Sequence, residues 1–349
     1  DLLKNPVTVI SGLLCGLLVL RTARIKPYNF IRASENEPWT FPQQGSPTGP
    51  LIASTLDRDL NANAQLILES TGADSATPLI GAGTLQTNGN VSGFGVFSNA
   101  TLGWNAVVPL ETRYAASYLL AYDNTGSVAT GVAVANLASN AASVPVVIRD
   151  DSGATIATST MTIPAQGHQS FMLTDPQLGY AAASGKRGTI EFDTPPNGQI
   201  SVLGLRANGT ALTTLPVLAN VGTGGGSIAH VTYNGGFTST IYVVNSGSTA
   251  ADFTLSFFDE AGNPLSVPLN LPQSGVTATS ASVTRQLAAG ATLVIHTQSQ
   301  DSLPPALGSA QLTSNGNVSG FEIFRWTSFG QEASVPLEAR SPEIGRAHV

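Results

Sequence analysis

The most regular feature of the chain is a series of short stretches in which apolar and polar residues alternate. Between residues 114 and 219 these stretches are separated by turn-forming sequences such as DNTG, DDSG and PPNG. Alternation with a period of two is typical of β-strands that bury one face, and clusters of Gly, Pro, Asn and Asp mark turns. The pattern predicts strands near residues 117–122, 130–136, 143–149, 154–160, 168–173, 187–193, 199–206 and 211–217.

This density of short strands is typical of an immunoglobulin-like sandwich. We therefore expect an all-β fold built from tandem immunoglobulin-like antiparallel β-sandwich domains. Composition supports this prediction, because charged residues make up only 11% of the chain. Helical proteins usually build their exposed faces from Glu, Lys, Arg and Gln, so a surface of Ser, Thr, Asn and Gly disfavours helices.

The chain also contains internal repeats. The sequence NGNVSGF occurs at Asn88–Phe94 and again at Asn315–Phe321, an offset of 227 residues (315 − 88 = 227). At that offset residues 60–113 align without a gap on residues 287–340, with 24 identities over 54 positions. A more diverged copy, NGQISVLGL, begins at Asn197. Repeats of this length are whole domains, because each can bury its own core.

The repeats predict how the chain is divided. We expect a partial or diverged sandwich, a complete sandwich, a Gly-rich linker, a second complete sandwich and an artefactual tail, at residues 1–113, 114–219, 220–227, 228–340 and 341–349. The three sandwiches are called the first, middle and last segments below. The last segment carries about nine extra residues relative to the middle one, which we place within residues 271–282. The tail sequence IGRAHV resembles a translated sequencing adapter, so we expect a fragment of a longer reading frame.

Two stretches allow more specific predictions. Asn-Gly between alternating runs is a strong hairpin signal, so we predict a type I′ turn at Asn88-Gly89 and a returning strand covered on both faces. The apolar run Val7–Leu20 is too short to span a membrane. We interpret it as a buried strand of the first segment, with a secretory hydrophobic region or misread sequence as the alternatives. The part before about Asn36 departs from the repeat pattern.

Residues that could perform chemistry are sparse. Cys15 is the single cysteine, so neither an intrachain disulfide nor a cysteine-based zinc site can form. The histidines follow no metal-binding or catalytic-triad spacing: His168, His230, His296 and His348. We expect no cofactor, no metal and no enzymatic activity. The net charge of −7, without a basic cluster, argues against a nucleic-acid partner.

Paired acidic residues recur at one position of the repeat, as Asp150-Asp151 and Asp259-Glu260. Such pairs can hold calcium, but the spacing of a calcium-binding loop is missing. We favour turns in which the Asp side chain accepts hydrogen bonds from its own backbone.

Three aromatic residues are the best candidates for contact with a ligand. Trp104 and Trp326 follow the two NGNVSGF motifs, and Phe329 lies close to the second tryptophan. Exposed aromatic rings in loops can stack on sugars. A tryptophan packed over the end of a sandwich explains the same pattern.

Four passages resemble a known kind of protein: VVIRDDSGATIAT, RGTIEFDTPPNGQISVLGLR, TLSFFDEAGNPLSVPL and NGNVSGFEIFRW. They are similar to an uncharacterised immunoglobulin-like repeat module of bacterial extracellular proteins, to which no activity is assigned. The resemblance covers residues 60–340 and implies secretion to the exterior or the cell surface. It supplies no site residues.

These observations favour a non-catalytic extracellular segment that spaces or displays other domains or takes part in adhesion. Its partners would be a cell-surface protein or a polysaccharide. The alternative is a carbohydrate-binding accessory module of a secreted hydrolase. Trp104 and Trp326 are the residues that suggest it. The sequence sets neither membrane association nor oligomeric state.

Overall fold

Antiparallel β-strands provide nearly all of the regular structure in a computed structural model of the chain. The structure describes residues 16–24, 29–33, 39–42, 50–53, 55–69, 81–99, 102–219 and 225–339. Within these ranges the only helical turns are two 3-10 helices, at Ala181–Ala183 and Thr327–Phe329. The prediction of an all-β fold is confirmed.

The strands are numbered in chain order. The first segment contains β1 Gly16–Arg24, β2 Asn29–Ala33, β3 Trp39–Pro42, β4 Pro50–Ala53, β5 Thr55–Arg58, β6 Gln65–Glu69, β7 Gly83–Gln86, β8 Asn90–Asn99 and β9 Trp104–Pro109. The middle segment contains β10 Ser117–Asp123, β11 Val128–Asn136, β12 Ala142–Asp150, β13 Thr155–Ile163, β14 His168–Met172, β15 Arg187–Asp193, β16 Ile200–Asn208, β17 Ala211–Leu215 and β18 Leu218–Ala219. The remaining strands are β19 Gly225–Tyr233, β20 Phe237–Asn245, β21 Ala251–Asp259, β22 Val267–Leu271, β23 Val276–Ser280, β24 Ser282–Leu287, β25 Thr292–Thr297, β26 Ala306–Ser314, β27 Val318–Trp326 and β28 Gln331–Pro336.

Each segment forms two main sheets. The strand orders are β6-β1-β8-β9 with β5-β2-β7, then β13-β12-β15-β10-β18 with β14-β11-β16-β17, then β23-β22-β25-β20-β27-β28 with β19-β26-β21-β24. Strands β3 and β4 form a separate pair. Among the described residues no sheet contains strands from two segments, and the division of the chain into three domains stays a prediction.

The eight strands predicted for the middle segment are confirmed as β10 to β17. Every observed end lies within three residues of the predicted one. The side chains of Leu120 and Val132 are almost fully buried between the two sheets. A methyl group added at Gly204 would collide with Leu120, so the two sheets pack closely face to face, as in a sandwich.

The prediction of a hairpin at the NGNVSGF motif is wrong. Strand β7 before the first motif pairs with β2, whereas β8 after it pairs with β1 and β9. The same holds in the last segment, where β26 and β27 lie in different sheets. The motif is therefore an arch that carries the chain from one sheet of the sandwich to the other.

The geometry of the arch also differs from the predicted type I′ turn. Neither residue of Asn88-Gly89 nor of Asn315-Gly316 has a positive φ. Instead, the hydroxyls of Thr87 and Ser314 accept hydrogen bonds from the glycine N–H two residues later, at 3.0 and 3.1 Å. A threonine or serine at this position thus supplies the local bond that holds the arch.

Only one face of β8 is covered, contrary to prediction. Phe97 is buried, whereas Phe94 on the opposite face is 41% exposed.

The last five residues of the run Val7–Leu20 lie in β1, and residues 7–15 lie outside the described residues. Three residues assigned to the linker, Gly225–Ser227, instead begin β19 and pair with β26. The tail from residue 341 also lies outside the described residues.

The extra residues of the last segment form part of an added hairpin. Strand β23 lies within the predicted insertion, residues 271–282, and pairs with β22 at the edge of the six-stranded sheet. The middle segment has no strands at the corresponding edge beside β14. The insertion therefore widens one sheet without changing the order of the others.

The middle and last segments pack against each other through sheet faces. Tyr242, Phe321 and Val294 of the six-stranded sheet belong to the same buried cluster as Leu119 and Ala121 of β10. The rings of Tyr242 and Phe321 stack at 4.8 Å. Thr189 Oγ1 donates a hydrogen bond to the carbonyl oxygen of Gly290 at 3.2 Å, which joins β15 to the turn between β24 and β25.

Candidate functional site

Trp104, the first candidate aromatic residue, is part of the packing between segments. Its side chain is only 4% exposed, and its Nε1–H donates to the carbonyl oxygen of Thr210 at 2.6 Å. It lies in a buried cluster with Phe97 of its own segment and Leu205 and Leu212 of the middle segment. A ring enclosed in this way has no free face on which a sugar could stack.

Trp326 and Phe329 remain accessible, at 37% and 62% exposure. Trp326 ends β27, and Phe329 lies in the 3-10 helix that leads to β28. Their ring centroids are 4.1 Å apart with the planes inclined at 51°. The two rings therefore form one small aromatic patch on the surface.

Phe237, which the sequence analysis missed, supports this patch from below. Its ring stacks on Trp326 at 5.3 Å with the planes 20° apart. It is the first residue of β20 and pairs directly with Trp326 across the sheet. The available signal was its position straight after the turn Asn234–Gly236, where a paired strand begins. These three residues are called the aromatic patch below.

The turn between β16 and β17 relates the three candidates to one another. The carbonyl of Thr210 accepts the bond from Trp104, and a methyl group added at Gly330, next to Phe329, would touch the Thr210 hydroxyl. The structure thus places all three aromatics near one turn, but only the last two face solvent. They do not form a common platform.

The acidic turns bind their own backbone. Asp150 Oδ1 accepts hydrogen bonds from the N–H groups of Ser152 and Ala154 at 3.0 and 3.1 Å. Asp259 Oδ1 accepts from the N–H groups of Ala261 and Asn263, and the bonds from Asn263 lower the pKa of Asp259. The turn interpretation is confirmed for both pairs.

His230 and His296 both lie in the last segment and contact side chains of its other strands. The ring of His230 meets Phe324 edge to face at 5.3 Å. His296 Nδ1 is 2.9 Å from Thr240 Oγ1. Burial lowers the pKa of His296 most, and the positive charge of Arg187 lowers it further. His348 lies outside the described residues. Across the ranges that the structure describes, no three His, Cys, Asp or Glu residues are grouped as a metal site would need.

A buried ion network joins the middle and last segments. Arg206 Nε donates to Glu332 Oε2 at 3.0 Å, and Asn208 and Arg325 donate to Glu332 Oε1 at 2.7 and 2.8 Å. The side chains of Arg206 and Glu332 are 7% and 1% exposed. Arg206 also donates to the Tyr242 hydroxyl at 3.1 Å. A carboxylate buried to this degree is stable only when its oxygens are paired in this way.

The electrostatics of the network follow from burial. Burial would lower the pKa of Arg206, but Tyr242 and Glu332 together raise it above its ordinary value. Burial raises the pKa of Tyr242. The Arg206 guanidinium therefore stays charged and the Tyr242 phenol stays neutral at neutral pH.

Glu322 is a second buried carboxyl, inside the last segment. It is fully buried, and Ser239 Oγ donates to its Oε1. Burial raises the pKa of Glu322 to about 8, so the group is mostly protonated at neutral pH. The equivalent position in the first segment is Gly95 (322 − 227 = 95). The carboxyl is thus a property of the last segment and not of the repeat.

Comparisons with known proteins add little. No family model matches the chain, and no curated protein matches it. A solved structure of an anti-sigma factor domain-containing protein is similar over 63% of this chain and 81% of its own, with 8% identity and a TM-score of 0.17. A TM-score this low supports no argument about fold or function. In the described part of the chain, no helix is long and apolar enough to cross a membrane.

Proposed function

We propose that this chain is a non-catalytic structural element: a row of immunoglobulin-like β-sandwiches that spaces, displays or attaches other domains. The observation that carries the proposal is the joint packing of the middle and last segments. One buried cluster contains residues of both, from Tyr118 to Ile323. Two sandwiches that share buried side chains hold a fixed orientation, which is what a spacer requires and a flexible string of domains lacks.

The ion network strengthens this argument. Glu332 lies on β28, and its partners Arg206 and Asn208 lie on β16, so the contact fixes one segment against the other. Removing Glu332 would leave the buried guanidinium of Arg206 without its carboxylate partner. The pairing therefore favours one relative orientation of the segments over others.

We place this element outside the cell or at its surface, as the sequence resemblance implies, with a surface protein or a polysaccharide as partner. The outward face of the sheet β19-β26-β21-β24 agrees with such a place. It presents exposed neutral polar side chains, among them Thr284, Gln311 and Thr313. Hydroxyl and amide groups can both donate and accept hydrogen bonds, as a polysaccharide partner would require.

Small-angle X-ray scattering of the full chain tests the spacer proposal. We expect the middle and last segments to scatter as one rigid body, and we expect the double variant Phe321→Asp/Ile323→Asp to scatter as a more extended ensemble. If the parent chain itself requires a broad ensemble in which these segments move independently, the spacer proposal fails. Leu178→Asp, on an exposed residue of the middle segment, is the control and should leave the profile unchanged.

The aromatic patch supports carbohydrate binding as a second candidate function. Trp326 and Phe329 offer accessible rings, and Phe237 holds Trp326 in place. Rings presented in this way can stack on the apolar faces of sugars. The candidate does not depend on Trp104, which is buried.

Affinity electrophoresis through gels that contain xylan, mannan or hydroxyethyl cellulose tests this candidate. If the patch binds one of these polymers, the parent chain is retarded and Trp326→Ala migrates freely. The matched control is Leu178→Ala, which removes an exposed apolar side chain elsewhere. Equal migration of all three proteins in every gel would exclude binding of these polymers by the patch.

A further inference from the structure

The outward face of the sheet β6-β1-β8-β9 carries apolar residues that solvent reaches. Phe94 and Val107 are 41% and 48% exposed, and Ile67 and Val96 are partly exposed. These four residues are called the Phe94 face. They are neighbours in the sheet, since Val96 pairs with Val107, and Phe94 and Ile67 both pair with Val19. An exposed apolar cluster on a sheet face is typical of an interaction site.

The equivalent face of the last segment is buried. At the offset of 227 the counterparts of Ile67, Phe94 and Val96 are Val294, Phe321 and Ile323. These three are 0%, 0% and 2% exposed, respectively. The pairing is the same in both sheets: Phe94 lies opposite Pro109, as Phe321 lies opposite Pro336.

The middle segment is what covers the last segment's face. Strands β10 and β15 present Leu119, Ala121 and Thr189 on the side away from their own core. These three residues are called the β10–β15 face. Leu119 and Ala121 lie in one buried cluster with Phe321 and Tyr242, and the Thr189 hydroxyl donates a hydrogen bond to the Gly290 carbonyl.

The turn that provides this carbonyl is also present in the first segment. Gly290 has φ +70, and its counterpart Asn63 has φ +61. Each turn is closed by a similar hydrogen bond, from Ala291 N–H to Ala288 and from Ala64 N–H to Asn61. Asn63 therefore presents a carbonyl in the same local conformation. In the last segment the Arg149 side chain packs over Gly290, and in the equivalent contact the Asn63 side chain would take that place. The flexible Arg149 side chain must therefore move aside.

We propose that the Phe94 face binds the β10–β15 face of a second copy of the middle segment. The first segment repeats both parts with which the last segment contacts the middle one. These are the apolar residues of the Phe94 face and the turn that presents the Asn63 carbonyl. Within one molecule the last segment already covers the β10–β15 face. The proposed contact therefore requires a second copy whose β10–β15 face is not covered by its own last segment. The contact joins two different surfaces, so repeated contacts would build a head-to-tail chain and not a closed pair.

The test uses the full chain with the β10–β15 face released. In the double variant Phe321→Asp/Ile323→Asp, two carboxylates replace buried apolar groups on the side of the sheet that faces the middle segment. Hydrogen exchange at residues 117–123 reports the release. In sedimentation velocity at micromolar concentration we expect the parent chain to be monomeric and the double variant to associate as concentration rises.

Adding Phe94→Asp to the double variant decides the proposal. We expect the association constant to fall by a factor of about 10 or more, because one central aromatic anchor is lost. Adding Leu178→Asp instead, at a similarly exposed apolar residue, should leave association unchanged. Two results would overturn the proposal: a released chain that stays monomeric, or association that Phe94→Asp does not weaken. The second would show that the freed face binds some other surface.

Discussion

Phe94 and Phe321 occupy the same position in two stretches of 54 residues that agree at 24 positions, yet one ring is 41% exposed and the other is fully buried. In both stretches an arch precedes the strand that carries the ring, and that strand lies between two equivalent partners, β1 and β9 for β8 and β20 and β28 for β27. What differs is the neighbour, because the middle segment covers only the second ring. Local sequence therefore determines the sheet, whereas the arrangement of segments determines which face is buried.

The largest expected effect comes from truncating these two rings. Phe321→Ala should lower the free energy of unfolding by about 3–5 kcal/mol, because it leaves a cavity in a fully buried cluster. Phe94→Ala should change it by less than about 1 kcal/mol. Urea denaturation of both variants measures the difference. Equal losses would show that the two rings are buried alike in solution.

The next comparison concerns Glu332 and its counterpart Asn105 (332 − 227 = 105). Glu332→Ala should cost about 3 kcal/mol, because Arg206 is left buried without its carboxylate partner. Asn105 is exposed, so Asn105→Ala should stay within about 0.5 kcal/mol of the parent. The replacement Arg206→Met/Glu332→Leu should recover most of the loss. If the double replacement recovers no stability, the loss in Glu332→Ala does not come from the unpaired charge of Arg206.

The contribution of Glu322 to the free energy of unfolding should depend on pH, whereas its counterpart Gly95 has no side chain that titrates. The pKa of Glu322 in the folded chain is about 8, above its ordinary value of 4.5, so the folded state holds a proton that the unfolded state releases. Stability should therefore fall as pH rises from about 4.5 to about 8, by on the order of 1 kcal/mol per pH unit, and then level off. Urea denaturation between pH 5 and 9 measures this slope. Glu322→Gln should flatten it, and an unchanged slope would assign it to another group.

The smallest expected effect concerns Trp104 and its counterpart Gln331 (331 − 104 = 227). Trp104→Phe keeps most of the packing but removes the hydrogen bond to the Thr210 carbonyl, so we expect a loss of about 1 kcal/mol. Gln331 is exposed, and Gln331→Ala should have no measurable effect. Thermal unfolding compares the two variants. A loss for Gln331→Ala as large as that for Trp104→Phe would contradict the contact described for Trp104.

Strands were predictable where the signal is local. The alternation in residues 117–215 located eight strands, because a strand that buries one face must alternate. The arch at Asn88-Gly89 was not predictable in the same way. An Asn-Gly pair fits a hairpin and an arch equally, and the choice depends on β7 pairing with the distant strand β2.

The candidate site depended still more on distant residues. Trp104 and Trp326 look alike in sequence, but the first is enclosed by residues more than 100 positions away. The ion network was missed because Arg206 and Glu332 are 126 residues apart. One signal was available: Arg206 is the one charged residue of β16, at the position where the other copies have Phe97 and Phe324. A charge at such a position needs a buried partner.

The fixed packing of the middle segment on the last one is the central claim, and a distance measurement between spin labels tests it most directly. Labels at Thr158 and Gln311, both exposed, would be placed in a chain with Cys15→Ser. We predict a single narrow distance distribution that becomes broad when Phe321→Asp/Ile323→Asp is introduced. A broad distribution in the parent chain would contradict the account, because it would show that the two segments move independently.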